Sequence, residues 1–464
     1  MLDRRIAALP VLAALATTAA YAEAPSGQPE QPYDALVRRL EAVEAQLAAE
    51  PASAAPGVEA CGCLNLGDAP CECWPPAPKK PAYPTVKVNG FFHLDMGFYS
   101  QDAASTATLG DIDDGLGFRR SRLSASGQVT DATSYMMEYD FAQSQARFTD
   151  VWMQFAETPV GVLRIGRFRQ PFGMTELTGI KELPFLERPT VFALAPFRQT
   201  GAMLSNSTLE DSMTWAVSGY RYLSDNFGNV YADAGGYGLA TRLTAVPLAI
   251  DDEHLIHVGF DYSYNEPGRD LVQYSSTDEL LLGQNPNLGT AGLSVLPIVG
   301  VPGFVNTGPV ATSQTNLFNL EGAVALRSLV IQSEVRWAML EQLSGANDTF
   351  PAAYLHVRYV LTGEAIPYNR KGGVFARVVP KRPVNLACGD WGAWELGVQF
   401  SYIDLNGTAL PGPGRRVNDT TLGVNWYLNE HSKFQLIYIH SDLNDLTIGD
   451  SNTETVAIRG QLDF

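Results

Sequence analysis

From residue 86 onward, large apolar side chains recur at every second position. Val86, Val88, Phe92, Leu94, Met96 and Phe98 alternate with Lys87, Asn89, His93 and Asp95. Tyr135, Met137, Tyr139 and Phe141 alternate with Glu138 and Asp140, and Leu329, Ile331, Val335 and Trp337 with Gln332, Glu334 and Arg336. Trp394, Leu396, Val398, Phe400 and Tyr402 alternate with Glu395, Gln399 and Ser401. A period of two sends successive side chains to opposite faces of a strand. Segments of about ten residues with one apolar and one charged face fit a transmembrane barrel, apolar toward lipid and polar toward water. A soluble sandwich would turn its apolar face inward and use shorter strands. Tyr99, Tyr262, Tyr264, Trp391, Tyr402 and Tyr427 crowd segment ends, as an aromatic girdle requires. The final alternation, Val456, Ile458, Gly460, Leu462, ends on Phe464.

The pattern predicts strands at 86–99, 115–129, 132–143, 148–157, 161–169, 198–206, 212–223, 236–247, 253–265, 316–327, 328–341, 353–363, 391–405, 418–428, 433–442 and 453–464. Sixteen is an even number, as bacterial barrels require. With Phe464 on the periplasmic side, short turns fall there, and the long connections 100–114, 170–197, 266–315 and 443–452 fall outside. The connection 364–390 is long but periplasmic. A barrel of sixteen strands leaves an aqueous channel.

The stretch 162–204 does not fit the strand pattern. Between its two strand-like ends lie about 28 residues with Pro171, Pro184, Pro189 and Pro196, yet also Phe172, Met174, Leu177, Leu183, Phe185, Phe192 and Phe197. A solvated loop has no use for so many large apolar groups. The expectation is that 170–197 packs inside the barrel and narrows it. Whether 290–312, with VLPIVGVPGF, folds inward or outward stays open.

The first 85 residues read differently. Arg4 and Arg5 precede an apolar run, and Ala20-Tyr21-Ala22 supplies small residues for cleavage, so residues 1–22 read as a signal peptide. In 23–85, a periplasmic segment, Leu36, Leu40, Val43 and Leu47 give 33–50 the seam of a short coiled coil, followed by a Cys- and Pro-rich linker. So short a helix gains stability beside other copies of itself, and docked on its own domain it would serve equally. Cys61, Cys63, Cys71 and Cys73 fit one or two disulfides, or links between chains. A four-thiolate metal site is the alternative, against which the i, i+2 spacing counts. Cys388 stands apart.

The fold class is therefore all-β: a sixteen-stranded antiparallel transmembrane β-barrel, 86–464, with a short N-terminal helical or coiled-coil segment. The net charge of −18 argues against a nucleic-acid partner. The barrel region holds 26 basic and 40 acidic residues. No Ser-His-Asp or metal spacing is recognisable, and the histidines at 93, 254, 257, 356, 431 and 440 are scattered, so neither an enzyme nor a cofactor is expected.

Several segments resemble the phosphate-selective porin O and P family: GFRRSRLSASG (117–127), IGRFRQPFGMTELTG (165–179), PFLERP (184–189), FRQTGAML (197–204), YVLTGE (359–364) and LGVNWYLNEHSKFQLIYI (422–439). The resemblance implies a trimeric outer-membrane porin whose loop after the fifth strand enters the lumen. It also implies selection of anions by clustered Arg and Lys at a constriction. Guanidinium suits that role because it stays charged and binds oxyanions with two donors. The candidates are Arg119, Arg120 and Arg122 on the second strand, and Arg164, Arg167 and Arg169 on the fifth. Lys181, Arg188 and Arg198 lie in or beside the loop, and Arg336 and Arg358 on lumen faces. Arg370, Lys371, Arg377, Lys381 and Arg382 form the basic run of the periplasmic connection. These residues either contact the anion or brace the loop against nearby acids. The expected partners are outer-membrane lipid, further copies of the chain and small hydrophilic solutes or anions. The other functional class is an envelope-anchoring protein that uses the barrel as its anchor and the N-terminal segment to bind a periplasmic partner.

Overall fold

The computed structural model describes residues 83–464 except 143–145, 232–234, 281–300, 346 and 409. The expected signal peptide, the 33–50 helix and the Cys61, Cys63, Cys71, Cys73 quartet lie outside the described residues. Sixteen long strands follow in order: β1 Lys87–Gln101, β2 Gly115–Gln128, β3 Thr133–Asp140, β4 Arg147–Thr158, β5 Gly161–Arg169, β6 Arg198–Thr208, β7 Met213–Arg221, β8 Tyr237–Ala249, β9 His254–Glu266, β10 Val310–Leu326, β11 Leu329–Gln342, β12 Asp348–Val360, β13 Ala393–Asp404, β14 Arg416–Tyr427, β15 Ser432–Asp445 and β16 Gly449–Asp463. Each pairs antiparallel with its neighbour in sequence, and β1 pairs with β16 from Phe91↔Asp463 to Gln101↔Thr453. The sheet is thereby closed and has no free edge.

The alternation resolves as the period implies. Met96, Phe98, Leu123, Phe260, Phe400, Leu422 and Ile458 are exposed on the outer face, while His93, Asp95, Asp261, Glu334, Glu395 and Arg459 are buried on the inner one. Connections at one end are tight. β10 and β11 are joined by two residues, with Arg327 at φ 58, in the left-handed region that two-residue hairpins use. Except for 361–392, the long connections lie at the other end, which is called the loop end below.

The interior is not empty. Three connections fold into it. In 170–197 the amides of Gly173 and Thr175 donate to Asp261 on β9 and Glu334 on β11, each at 2.8 Å. Arg336 on β11 donates to Glu176 and, at 2.9 Å, to the Val191 carbonyl. Across the barrel, the Leu183 carbonyl accepts from Lys433 at 2.9 Å and the Pro184 carbonyl from Asn425 at 2.8 Å. Phe185 packs where β13 and β14 carry Gly397 and Gly423, since a Cβ at either would come within 2.9–3.1 Å of its ring. Phe172, Met174, Leu183, Phe185, Leu186, Val191 and Leu194 are buried, each contributing about 1.5–3 kcal/mol.

The second insertion is the connection after β9. Glu279 accepts from Gln399 and Thr421, each at 2.8 Å, and Asp278 from Thr455 at 2.8 Å, all inner-wall groups of β13, β14 and β16. Leu280, Val301, Phe304 and Val305 join the same apolar cluster as Phe172 and Phe185. The described part of 290–312 thus packs with the lumen loop. The third insertion comes from the turn end. Ile366, Phe375 and Val378 pack on Met174, and the Gly372 and Gly373 carbonyls accept from Arg242 at 2.9 and 2.8 Å.

Candidate functional site

These insertions lean to one side. The buried wall residues of the two larger apolar clusters come only from β9–β16. Against the opposite wall two cavities stay open. The upper cavity, toward the loop end, has a volume of about 590 Å³ and is walled by β1–β6 and the 170–197 loop. The lower cavity, also about 590 Å³, is walled by β3–β8, by Pro171 and Leu177 of the loop and by residues 369–374. Both are bordered by Met136, Asp150 and Arg169, so they meet there.

The upper cavity gathers Arg119, Arg120, Arg122, Arg147, Arg167, Arg169, Lys181, Arg188 and Arg198 against Glu138, Asp150, Glu182 and Glu187. That is nine cations to four acids, in a barrel region whose total is strongly negative. The lower cavity has Arg164, Arg169, Arg242 and Lys371 against Asp150.

The arginines divide by what they touch. Glu187 of the loop takes Arg119 at 3.0 Å, Arg120 at 2.6 Å and Arg459 at 3.1 Å. Burial pushes its carboxyl up, but these guanidiniums outweigh it and hold it well below the ordinary range. Arg122 pairs with Glu138 and Asp140, each at 3.0 Å, and Arg198 with Asp150 at 2.7 Å. These groups brace. Four others have no carboxylate partner among the described residues. Arg164 donates to the Gln154 amide oxygen at 2.7 Å and lies 4.4 Å from the Trp152 ring centroid. Arg167 donates to Ser224 at 2.6 Å and to the Phe148 carbonyl at 3.3 Å. Arg169 spends one nitrogen on the carbonyls of Glu176, Leu177 and Thr178, at 2.8–3.0 Å. Arg188 bonds the Thr175, Glu176 and Thr178 carbonyls. Burial first, then the nearby Arg169 and Arg120, pull the Arg188 guanidinium well below its ordinary value. Dipoles orient such cations without neutralising them, and a buried charge that lacks a counterion is costly.

Of the remaining candidates, Arg336 is fully buried between Glu176 and Glu334 and reaches neither cavity. Arg358 is buried 4.0 Å from Glu395. Lys181 pairs with Asp463 at 3.4 Å on the rim of the upper cavity. The run at 370–382 does not gather. Arg370 pairs with Asp252, Lys371 with Asp211, Arg377 with Asp463 and Arg382 with Asp390, while Lys381 donates to the Gly363 carbonyl. Of these, Lys371 borders the lower cavity. Cys388 is exposed on the same connection. Sequence reasoning missed Arg147, Arg242 and Arg459. Arg242 and Arg459 sit at inward positions of alternating strands, the signal that selected Arg336 and Arg358.

A closed sixteen-stranded barrel with an inward loop and an arginine-lined lumen defines the porin class of membrane channel. Residues 86–464 match the family described as "Phosphate-selective porin O and P", and the chain belongs to that family. Such proteins reside in the bacterial outer membrane. Porin O of Pseudomonas aeruginosa is 25% identical over 417 residues, 82% of this chain and 88% of that one. An uncharacterized protein of Caulobacter vibrioides is 24% identical over 400 residues, 82% of this chain and 74% of its own. Among solved structures, an anion-selective porin from Comamonas acidovorans aligns with a TM-score of 0.49 at 11% identity, covering 82% of this chain and 99% of that one.

Proposed function

We propose that the barrel is a passive channel for small hydrophilic solutes with a preference for anions, and that 170–197 sets its narrowest point. The two cavities form one path, which passes between Met136, Asp150 and Arg169. The observation that carries the reading is the set Arg164, Arg167, Arg169 and Arg188, cations held by neutral dipoles along that path. A pore selects by its width and by the charge lining its narrowest point. Planar-bilayer recordings test this. Stepped currents with a reversal potential of anionic sign in a salt gradient are expected. A cation-selective reversal would sink the anion preference, and silent bilayers would favour the membrane-anchor role.

We take the working assembly to be a homotrimer, with 23–85 on the periplasmic side. The wall β3–β7 is built of strands of 8–12 residues, whereas β10 and β16 have 15–17. This shorter wall is the side we assign to the protein neighbour. Light scattering of the detergent-solubilised full chain should give three copies per particle.

A further inference from the structure

We propose that the solutes this path selects are organic anions with a flat apolar body, aromatic carboxylates above all. The inference rests on the anion-channel reading and narrows it. Each cavity sets a guanidinium that lacks a carboxylate partner beside aromatic faces. In the lower one Arg164 lies over Trp152 at 4.4 Å. In the upper one Arg188 lies 5.3 Å from the Phe192 centroid and 5.6 Å from that of Phe197.

A compact, strongly hydrated oxyanion gains nothing from ring faces and loses water beside them. It would be served better by a cage of many donors. Here most donors are already spent: Arg164 uses Nε and Nη2 on Gln154, and Arg188 uses Nε and Nη2 on loop carbonyls. What remains at each is a single open edge of positive charge next to a π surface. A carboxylate bonds that edge, and an attached ring stacks on the aromatic side chain or on the guanidinium plane. Each cavity also falls within the about 300–1,000 Å³ typical of sites for small organic ligands, so a single-ring acid fits with its ring inside.

The test is block of the chloride current by sodium benzoate, acetate and phosphate, recorded on the full chain in planar bilayers. Benzoate should block at a concentration at least about fivefold below that of acetate or phosphate, the worth of one ring contact. Trp152→Leu, which keeps an apolar side chain but removes the ring, should shrink the benzoate-to-acetate ratio about threefold or more. Phe192→Leu, in the upper cavity, is the second variant should the first fail to assemble. Equal potency of benzoate and acetate, stronger block by phosphate, or an unchanged ratio in the variants would each overturn the inference while leaving anion preference intact. A cation-selective reversal would overturn both.

Discussion

The two halves of this barrel solve opposite problems with the same strand pattern. Along β9–β16 the inner face carries Leu317, Leu340, Phe350, Ile403, Val417, Ile437 and Ile439, and the inserted connections cover them. Along β2–β8 the inner face carries arginines, and the inserted segments border the two cavities there without filling them. In the filled half the two fully buried arginines are paired twice over: Arg336 with Glu176 and Glu334, Arg459 with Asp95 and Glu187. In the wet half several are not. The filled half holds the loop still so that the wet half can keep uncompensated cations in place.

The largest effect expected from breaking this contrast is at Arg336. Arg336→Ala strands Glu176 and Glu334 without a cation and should cost about 3–5 kcal/mol. The barrel should lose its folded gel mobility at a lower temperature, and its conductance should rise and fluctuate as the loop detaches. Retention of wild-type stability would show that the filled half is not what fixes the loop. Phe185→Ala should come next, at about 3 kcal/mol, because Gly397 and Gly423 have no side chains to fill the space it leaves. The same melting measurement checks it.

The wet half responds in selectivity rather than stability. Arg169→Glu reverses the charge where the cavities meet. A change of two charges across several ångströms of water is worth about 1.4 kcal/mol, so the anion-to-cation permeability ratio should fall on the order of tenfold. An unmoved reversal potential would remove Arg169 from the narrow point. The smallest effect concerns pH. Burial raises the Asp278 carboxyl to about 7. The connection holding Asp278 is therefore seated best in acid, and loses stability as pH climbs from the ordinary carboxyl range toward 7, by about 1.4 kcal/mol per pH unit at most. Current noise should grow across pH 5–7 in the native chain and grow less steeply in Asp278→Asn, where the buried Glu279 beside it remains.

The strands were legible because a period of two is local information. Boundaries slipped where contrast fades. β10 starts at Val310 rather than 316 and β12 at Asp348 rather than 353, because loop-end residues such as Thr312, Ser313 and Gln314 are polar on both faces. The inward packing of 170–197 was legible from its phenylalanines. Which arginines are braced was not. Glu187 is reached from Arg120, 67 residues away, and from Arg459, 272 residues away, and no local pattern encodes such a meeting. The one-sided filling did leave a trace: Leu436, Ile437, Tyr438 and Ile439 are apolar on both faces, which a strand between lipid and water would not need.

That filler has an electrical consequence. An apolar mass polarises far less than water, so it acts as an insulator occupying one half of the pore. Field lines from the arginines cannot spread into it and are crowded into the remaining aqueous crescent, where low-dielectric walls of this kind raise the local concentration of counterions about 10- to 1,000-fold. In the channel proposed above, few uncompensated cations would suffice to attract anions, because the chain has taken away the solvent that would have dispersed their field.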